Sequence, residues 1–347
     1  MRKAPVRSAL VELTRVRLKE FVREPEALFW VFAFPLLLTL ALGFAFREKP
    51  PDRIPVGIVA GPRASERLAA LAKSPALLPR IYEAAEAREV LRRGRISLLV
   101  DGDAQPVYLF DTTRPDARNA RLEVDGALQS AAGRRDVVTA REEQVRDPGS
   151  RYIDFLVPGL LGMNLMGTGM WGVGFPIVSA RMKKLLKRFV ATPMRKSDYM
   201  LAQFFARLVF LVIEVTVLVI FARVLFGVRI HGSLAAFALV CVVGGMSFAA
   251  MGLLASARTR TIDAASGLMN LVMMPMWLCS GVFFSYERFP DAAKPFIRLL
   301  PLTALNDALR AIMNDGYPVT QVLPQIAILA VWAVVCFVIG MRIFRWQ

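Results

Sequence analysis

Histidine is almost missing from this chain: His231 is the only one among 347 residues. Cysteine is scarce as well, with Cys241, Cys279 and Cys336 all in apolar stretches. Without a second histidine or a carboxylate or thiolate cluster at ligand spacing, a metal centre has nothing to build on. The one long polar region holds no cysteine, so no disulfide framework supports it. A Ser/His or Cys/His nucleophile pair is equally unavailable. No glycine is followed by lysine anywhere, so the phosphate-cradling loop of a nucleotide hydrolase is missing too. Acid is lacking in one place: from Arg181 to Lys196 there are seven basic residues, and the first carboxylate is Asp198.

Apolar residues, by contrast, are abundant. They make up 55% of the chain, and the mean hydropathy of +0.46 is that of a membrane protein. A membrane-spanning helix needs about 20 apolar residues to cross about 30 Å of hydrocarbon. Six runs meet that need: Ala27–Phe46, Ile153–Ser179, Met200–Phe226, Leu234–Ala257, Ala264–Phe284 and Val322–Met341. Pro35, Pro158, Pro176 and Pro275 fall inside them, which membrane helices tolerate because neighbours satisfy the freed backbone groups. The first run reads as a retained span rather than a cleaved leader, since it is long and follows an arm carrying Glu12, Glu20, Glu24 and Glu26.

The net charge of +16 would suggest nucleic acid in a soluble protein. Its distribution argues otherwise. Residues 47–151 carry 19 basic and 16 acidic residues, a balance of only +3. The excess sits in the arm 1–26 and in the Arg181 segment, and no nucleic-acid motif accompanies it, so no nucleic-acid partner is expected. Basic loops remain on the cytoplasmic side of a membrane. Six crossings then place both ends of the chain inside, in a bacterial inner membrane, with 47–152 outside.

The expected fold is therefore an α-helical polytopic membrane protein of six transmembrane helices with an inserted small α/β extracytoplasmic domain. The arm 1–26 is amphipathic, with Leu10, Leu13, Val16 and Phe21 near helical spacing, and fits a membrane interface or a plain basic anchor. In 47–152, strands are expected at Ile54–Ala60, Ile96–Val100 and Val107–Phe110, and helices at Ala64–Ala72, Ala84–Arg93, Asn119–Ala132 and onward through Glu142. That alternation predicts a mainly parallel sheet covered by helices. Between the fifth and sixth runs, 285–321 holds four prolines and two segments too short and polar to cross, Phe296–Leu300 and Leu302–Met313, which are expected to dip into the outer leaflet as amphipathic or re-entrant helices.

Two places draw attention. The segment 180–199, between spans two and three, pairs cations with an apolar strip: Lys183, Lys184, Leu185, Leu186, Lys187, Arg188, Phe189, Thr192, Pro193 and Arg195. Orientation alone does not require the strip, so a docking surface for a cytoplasmic partner is expected there. The second is Glu214, near the middle of span three. A charge at a helix centre costs about 2.5–3.5 kcal/mol on insertion scales, so it must face protein or a water-filled path. Arg207 stands seven residues earlier, too far along the helix for direct pairing, so another helix is expected to supply the partner. Asn164 and Asn270 are the polar candidates. A structural interhelical hydrogen bond and a pathway-lining role both fit. The glycines of span two and Gly244, Gly245 and Gly252 allow close helix approach, and Met269, Met273, Met274 and Met276 read as packing.

Several of these stretches, in this order, resemble one family. The basic segment leading to Thr192-Pro193-Met194, the following Tyr199–Leu208, the outer segments VGIVAGPRASERL, EAREVLRRGRISLLV and VYLFDTT, the CSGVFF of Cys279–Phe284 and the PLTALNDALR of Pro301–Arg310 are similar to permease subunits of ABC-2 type exporters with a large extracytoplasmic domain. Ser285 and Leu300 depart from that pattern, standing where proline and asparagine are common. The resemblance implies a dimeric pathway, homodimer or heterodimer, for an amphipathic, drug-like or lipid-like cargo. It also implies that a separate ABC ATP-binding subunit binds the ATP, that the permease carries no cofactor, and that membrane lipids and a periplasmic adaptor are possible partners. The segment 180–199 becomes the ATPase-coupling element. Two other classes are also weighed: an ion-coupled secondary transporter, which needs a titrating Glu214 and finds no internal repeat, and a membrane scaffold or sensor with a ligand-binding outer domain.

Overall fold

A computed structural model describes residues 9–46, 53–101, 105–134, 151–191 and 196–345, with backbone alone at 9, 189–190 and 196–198. The chain divides into two compact units, one of residues 48–145 and one of residues 1–47 with 146–347. The latter begins with α1 (Ala9–Val22), anchored by Leu13 and by Phe21, whose ring lies 4.0 Å from that of Phe210. Pro25 opens the first apolar helix, α2 (Pro25–Ala45). A π-turn at Phe29–Ala33 precedes Pro35. The wider turn makes room for a residue with no N–H and a ring that crowds the preceding turn.

The 48–145 unit is an α/β fold. Its elements are β1 (Ile54–Val59), α3 (Ala64–Leu71), β2 (Leu77–Tyr82), α4 (Ala84–Arg92), β3 (Leu98–Asp101), β4 (Val107–Leu109) and α5 (Pro115–Ala131). The sheet order is β2-β1-β3-β4, with β1 parallel to both β2 and β3 and β4 antiparallel to β3. Val56, Ile58, Leu98 and Val100 form one core with residues of α3 and α5. Ile96 and Leu99 pack with Ala87 and Val90 of α4, which ends at Gly94 in the left-handed region (φ 69°). The sequence gives no clear sign of β2 because Pro79 interrupts it. Ile54 N–H donates to Ala76 O and Ala60 N–H to Tyr82 O, so even-numbered residues of β2 bond to β1. Pro79 therefore lies on the outward edge, where its missing donor costs nothing and blocks further strand pairing. The helix expected through Glu142 lies outside the described residues.

The remaining elements of the larger unit are α6 (Tyr152–Met182), α7 (Leu185–Val190), α8 (Lys196–Phe226), α9 (Leu234–Ser256), α10 (Ile262–Cys279), α11 (Lys294–Arg298), α12 (Pro301–Met313) and α13 (Leu323–Ile343). Among the described residues, five helices are long and apolar enough to cross a membrane: Pro25–Ala45, Tyr199–Phe226, Leu234–Ser256, Ile262–Cys279 and Val319–Ile343. The run expected as span two forms the 31-residue α6, but glycines, Asp154 and Asn164 dilute its apolar character. Helix α9 is the hub, packed most extensively against α6 and α13. A Cβ on Gly252 would lie 2.4 Å from Met170 O, and one on Gly169 would lie 2.7 Å from Phe248 Cβ, so these glycines set how closely α6 and α9 approach.

Helix α10 stops at Cys279, short of the expected Phe284, because Gly281 turns the chain through the left-handed region (φ 69°). Helix α12 buries Leu302, Leu305, Ala308, Leu309 and Ile312 within the bundle. It is an interior helix, with Asn306 and Arg310 tied to neighbouring backbone.

Candidate functional site

The basic segment is built on a sharp joint. Helix α6 is closed by Lys183, and Lys184 adopts φ 56°, where side chains other than glycine's are crowded. Helix α7 follows at once. Lys183, Lys184, Lys187 and Arg188 are all exposed, a cationic face that forms no ion pair with a carboxylate among the described residues. Leu186 behaves differently from the expectation of a partner-facing strip. It is 1% exposed, packed in an inner core with Ile177, Tyr199, Phe204, Leu253 and Phe344, and half-buried Leu185 leans on the same core. The apolar side of α7 thus holds the segment to its own bundle, and the cations face outward. Phe189 is described only by its backbone within α7, and Thr192, Pro193 and Arg195 lie outside the described residues. Leu13 of α1 packs on this core too, and Arg17 Nε donates to Gln203 Oε1 at 2.8 Å.

Within the apolar bundle, Glu214 does pair with Arg207, against expectation. Arg207 Nη2 lies 2.5 Å from Glu214 Oε1, with side chains 4% and 1% exposed. Seven residues rise about 10.5 Å but turn through nearly two full turns, so both stand on one face of α8. The Glu214 side chain leans back toward the helix N-terminus, and the long guanidinium stem spans the rest. Another helix does contribute, but through Thr168 of α6, whose Oγ1 lies 3.2 Å from Glu214 Oε1 and 2.7 Å from Asn164 O. Asn164 is buried beside it and offers its backbone carbonyl. Asn270 is exposed on α10 and takes no part. Arg207 Nε and Glu214 Oε2 are buried with no hydrogen-bond partner among the described residues.

The end of the bundle where α6 begins carries polar ties that the sequence pattern did not reveal. Asn306 Nδ2 donates to Ser280 O at 2.9 Å, and a Cβ on Gly162 would strike Asn306 Oδ1. Arg310 lies over the Phe155 ring at 3.8 Å and donates to Phe155 O and Gly281 O. Tyr286 Oη donates to Asp307 Oδ2 at 3.0 Å. Burial holds the Asp307 carboxyl above its usual range, against the pull of Tyr286 and Arg310. Asn314 Nδ2 donates to Asp154 O, while Arg151 chelates the Asp154 carboxylate and reaches Phe226 O. The two short elements CSGVFF and PLTALNDALR are thereby fastened to α6.

Three arrangements result: an exposed cationic face on a buried footing, a buried ion pair within α8 braced by Thr168 of α6, and a set of polar ties around the start of α6. No group of three or more potential metal ligands occurs among the described residues. Residues 25–342 match the family model described as ABC-2 family transporter protein. The chain is similar to ABC transporter G family member 20 of Dictyostelium discoideum, 29% identical over 170 residues, which is 49% of this chain and 23% of that protein. It is also similar to Nodulation protein J of Rhizobium leguminosarum bv. viciae, 29% identical over 106 residues, covering 30% of this chain and 40% of that protein. The corresponding protein of Rhizobium meliloti (strain 1021) is 30% identical over 106 residues with the same coverage. The matched stretches span less than half the length of each of these relatives.

Proposed function

The chain belongs to the ABC-2 family of transporter proteins, and we propose on that premise that it is the permease subunit of an exporter driven by a separate ATP-binding subunit. The observation that carries the reading is the cationic face of Lys183, Lys184, Lys187 and Arg188, at the joint before and along a short helix whose apolar side is locked into the bundle. Such a face can meet acidic groups of a partner, and its footing passes a push into the helices as a rigid-body displacement. Thr192, Pro193 and Arg195 extend the same segment. In this reading α6 makes the sixth crossing: 31 residues rise about 46 Å, and its Asp154 and Asn164 are buried against protein. Residues 48–145 then form the extracytoplasmic domain, open to a periplasmic adaptor, and the basic segments 181–188, 258–260 and 342–345 lie inside a bacterial inner membrane.

The pathway is assigned to a pair of such chains, two copies or two similar permeases. Helix α10 exposes Asn270 among Leu271, Met274 and Leu278, and a Cβ on Gly267 would meet nothing within 4 Å. A lone amide facing lipid is costly, so a second chain or a polar cargo group covers it. An apolar face with one amide and an adaptable methionine suits an amphipathic, lipid-like or drug-like cargo. An ion-coupled carrier would need Glu214 within reach of water, whereas Arg207 and Thr168 enclose it.

The test is purification from native membranes in mild detergent, followed by an ATPase assay. The expected result is a copurifying ATP-binding subunit that is lost when Lys183, Lys184, Lys187 and Arg188 are changed together to Glu. A chain that purifies alone and carries a lipophilic dye under a proton gradient without nucleotide would overturn the proposal.

A further inference from the structure

The last turn of α6 holds a side chain whose work is not explained by membrane orientation. Arg181 has five N–H donors, and all five go to backbone carbonyls of other segments. Its Nη1 donates to Ser256 O at 2.8 Å and to Thr259 O. Nη2 donates to Ala257 O at 3.0 Å and to Arg345 O at 3.0 Å, and Nε donates to Arg345 O at 3.3 Å. The guanidinium lies over the Phe344 ring at 5.3 Å. None of the five bonds goes to a carboxylate.

The acceptors lie at three places: the end of α9, the connection to α10 and the residue after α13. Ser256 and Ala257 end α9, so the cation sits at the negative pole of that helix. Arg345 follows α13, and its own N–H donates to Ala257 O at 3.1 Å. Thr259 lies two residues before Thr261, whose side chain caps the start of α10 by accepting from Ala264 N–H. One rigid fork therefore joins the end of α6, immediately before the Lys184 joint and α7, to the foot of α10. Helix α10 itself buries little and exposes Leu271 to 71%.

We infer that Arg181 is the positioning residue that carries a displacement of α7 to the foot of α10, and so sets the face of α10 by the state of the inner partner. The inference rests on the proposed coupling role of the basic segment. A planar fork suits this role better than a point charge, because it fixes direction as well as distance. The linkage is reciprocal in equilibrium: occupancy at α10 alters nucleotide affinity by the factor with which nucleotide alters α10.

The experiment uses the complete complex. Cys241, Cys279 and Cys336 are replaced by Ala, Leu271→Cys is introduced, and its rate of maleimide labelling is measured with and without ATP. With Arg181 present, ATP is expected to change the rate by about fivefold. Arg181→Gln should abolish that change while the ATP-binding subunit still copurifies and hydrolyses ATP. Arg181→Lys, which keeps the cation but gives up the fork, should retain less than half of the change. An undiminished response in Arg181→Gln overturns the inference, as does an undiminished response in Arg181→Lys should the glutamine variant fail to assemble. Labelling that ignores ATP in the unsubstituted complex overturns it as well. Absence of any copurifying ATP-binding subunit would instead sink the proposed function beneath it.

Discussion

Removing either member of the Arg207–Glu214 pair should damage the protein far more than removing both. The pair is almost fully enclosed, at 4% and 1% exposure, and among the described residues the one further side-chain hydrogen bond to it comes from Thr168. Arg207→Met leaves the Glu214 carboxyl without its cation in an apolar bundle, and Glu214→Leu leaves the guanidinium without its carboxylate there. Breaking a buried pair in this way costs about 3–5 kcal/mol, and a charge at a membrane helix centre costs about 3 kcal/mol on insertion scales. Each single change should thus cost about 3 kcal/mol, a factor of about 100 in the folding equilibrium. The double variant removes both charges and leaves Thr168 its bond to Asn164 O at 2.7 Å, so it should lie within about 1 kcal/mol of the parent. The coupling energy is then about 5 kcal/mol. Reversible unfolding in mixed micelles, followed by tryptophan fluorescence, measures all four corners of the cycle. Single variants within about 0.5 kcal/mol of the parent, or a double variant as unstable as the sum of the singles, would refute the reasoning.

Other outcomes follow from the packing. Gly252→Ala should cost about 1–3 kcal/mol in the same assay, because its Cβ would meet Met170 backbone atoms at 2.4 and 2.8 Å, whereas Gly172→Ala, with nothing within 4 Å, should stabilise the isolated chain by up to about 1 kcal/mol. Arg310→Ala should lower thermal stability by about 2–3 kcal/mol, and Arg310→Lys should recover little of it, since a lysine cannot reach Phe155 O and Gly281 O while lying over the Phe155 ring. Leu186→Asp should reduce the folded fraction of the permease on size-exclusion chromatography, whereas Lys187→Glu with Arg188→Glu should leave it folded and weaken retention of the partner.

Much of the fold was legible because hydropathy and turn chemistry are local. The apolar runs and the helix expected at Ala84–Arg93, which ends at Gly94, announce themselves in a few consecutive residues. Strand β2 was not legible, since Pro79 argues against a strand until its outward edge position is known. The Arg207–Glu214 pair was dismissed on axial distance alone, which ignores the backward lean of side chains and their shared face. Thr168 could not be found from either helix separately, because interhelical register leaves no trace in one helix's pattern. Leu186 failed for a related reason: a helix of six residues is too short for periodicity to tell an inner side from an outer one. The acceptors of Arg181 are backbone carbonyls, which every residue possesses, so nothing in the sequence sets it apart from the other cations of its segment.

The central claim is that Lys183, Lys184, Lys187 and Arg188 present a cytoplasmic surface to an ATP-binding subunit. Lys184→Cys, in a chain with Cys241, Cys279 and Cys336 replaced by Ala, tests it with a membrane-impermeant maleimide. No labelling is expected in sealed cells, ready labelling in inside-out vesicles stripped of peripheral proteins, and protection in vesicles that retain the ATP-binding subunit. Labelling from outside sealed cells would contradict it.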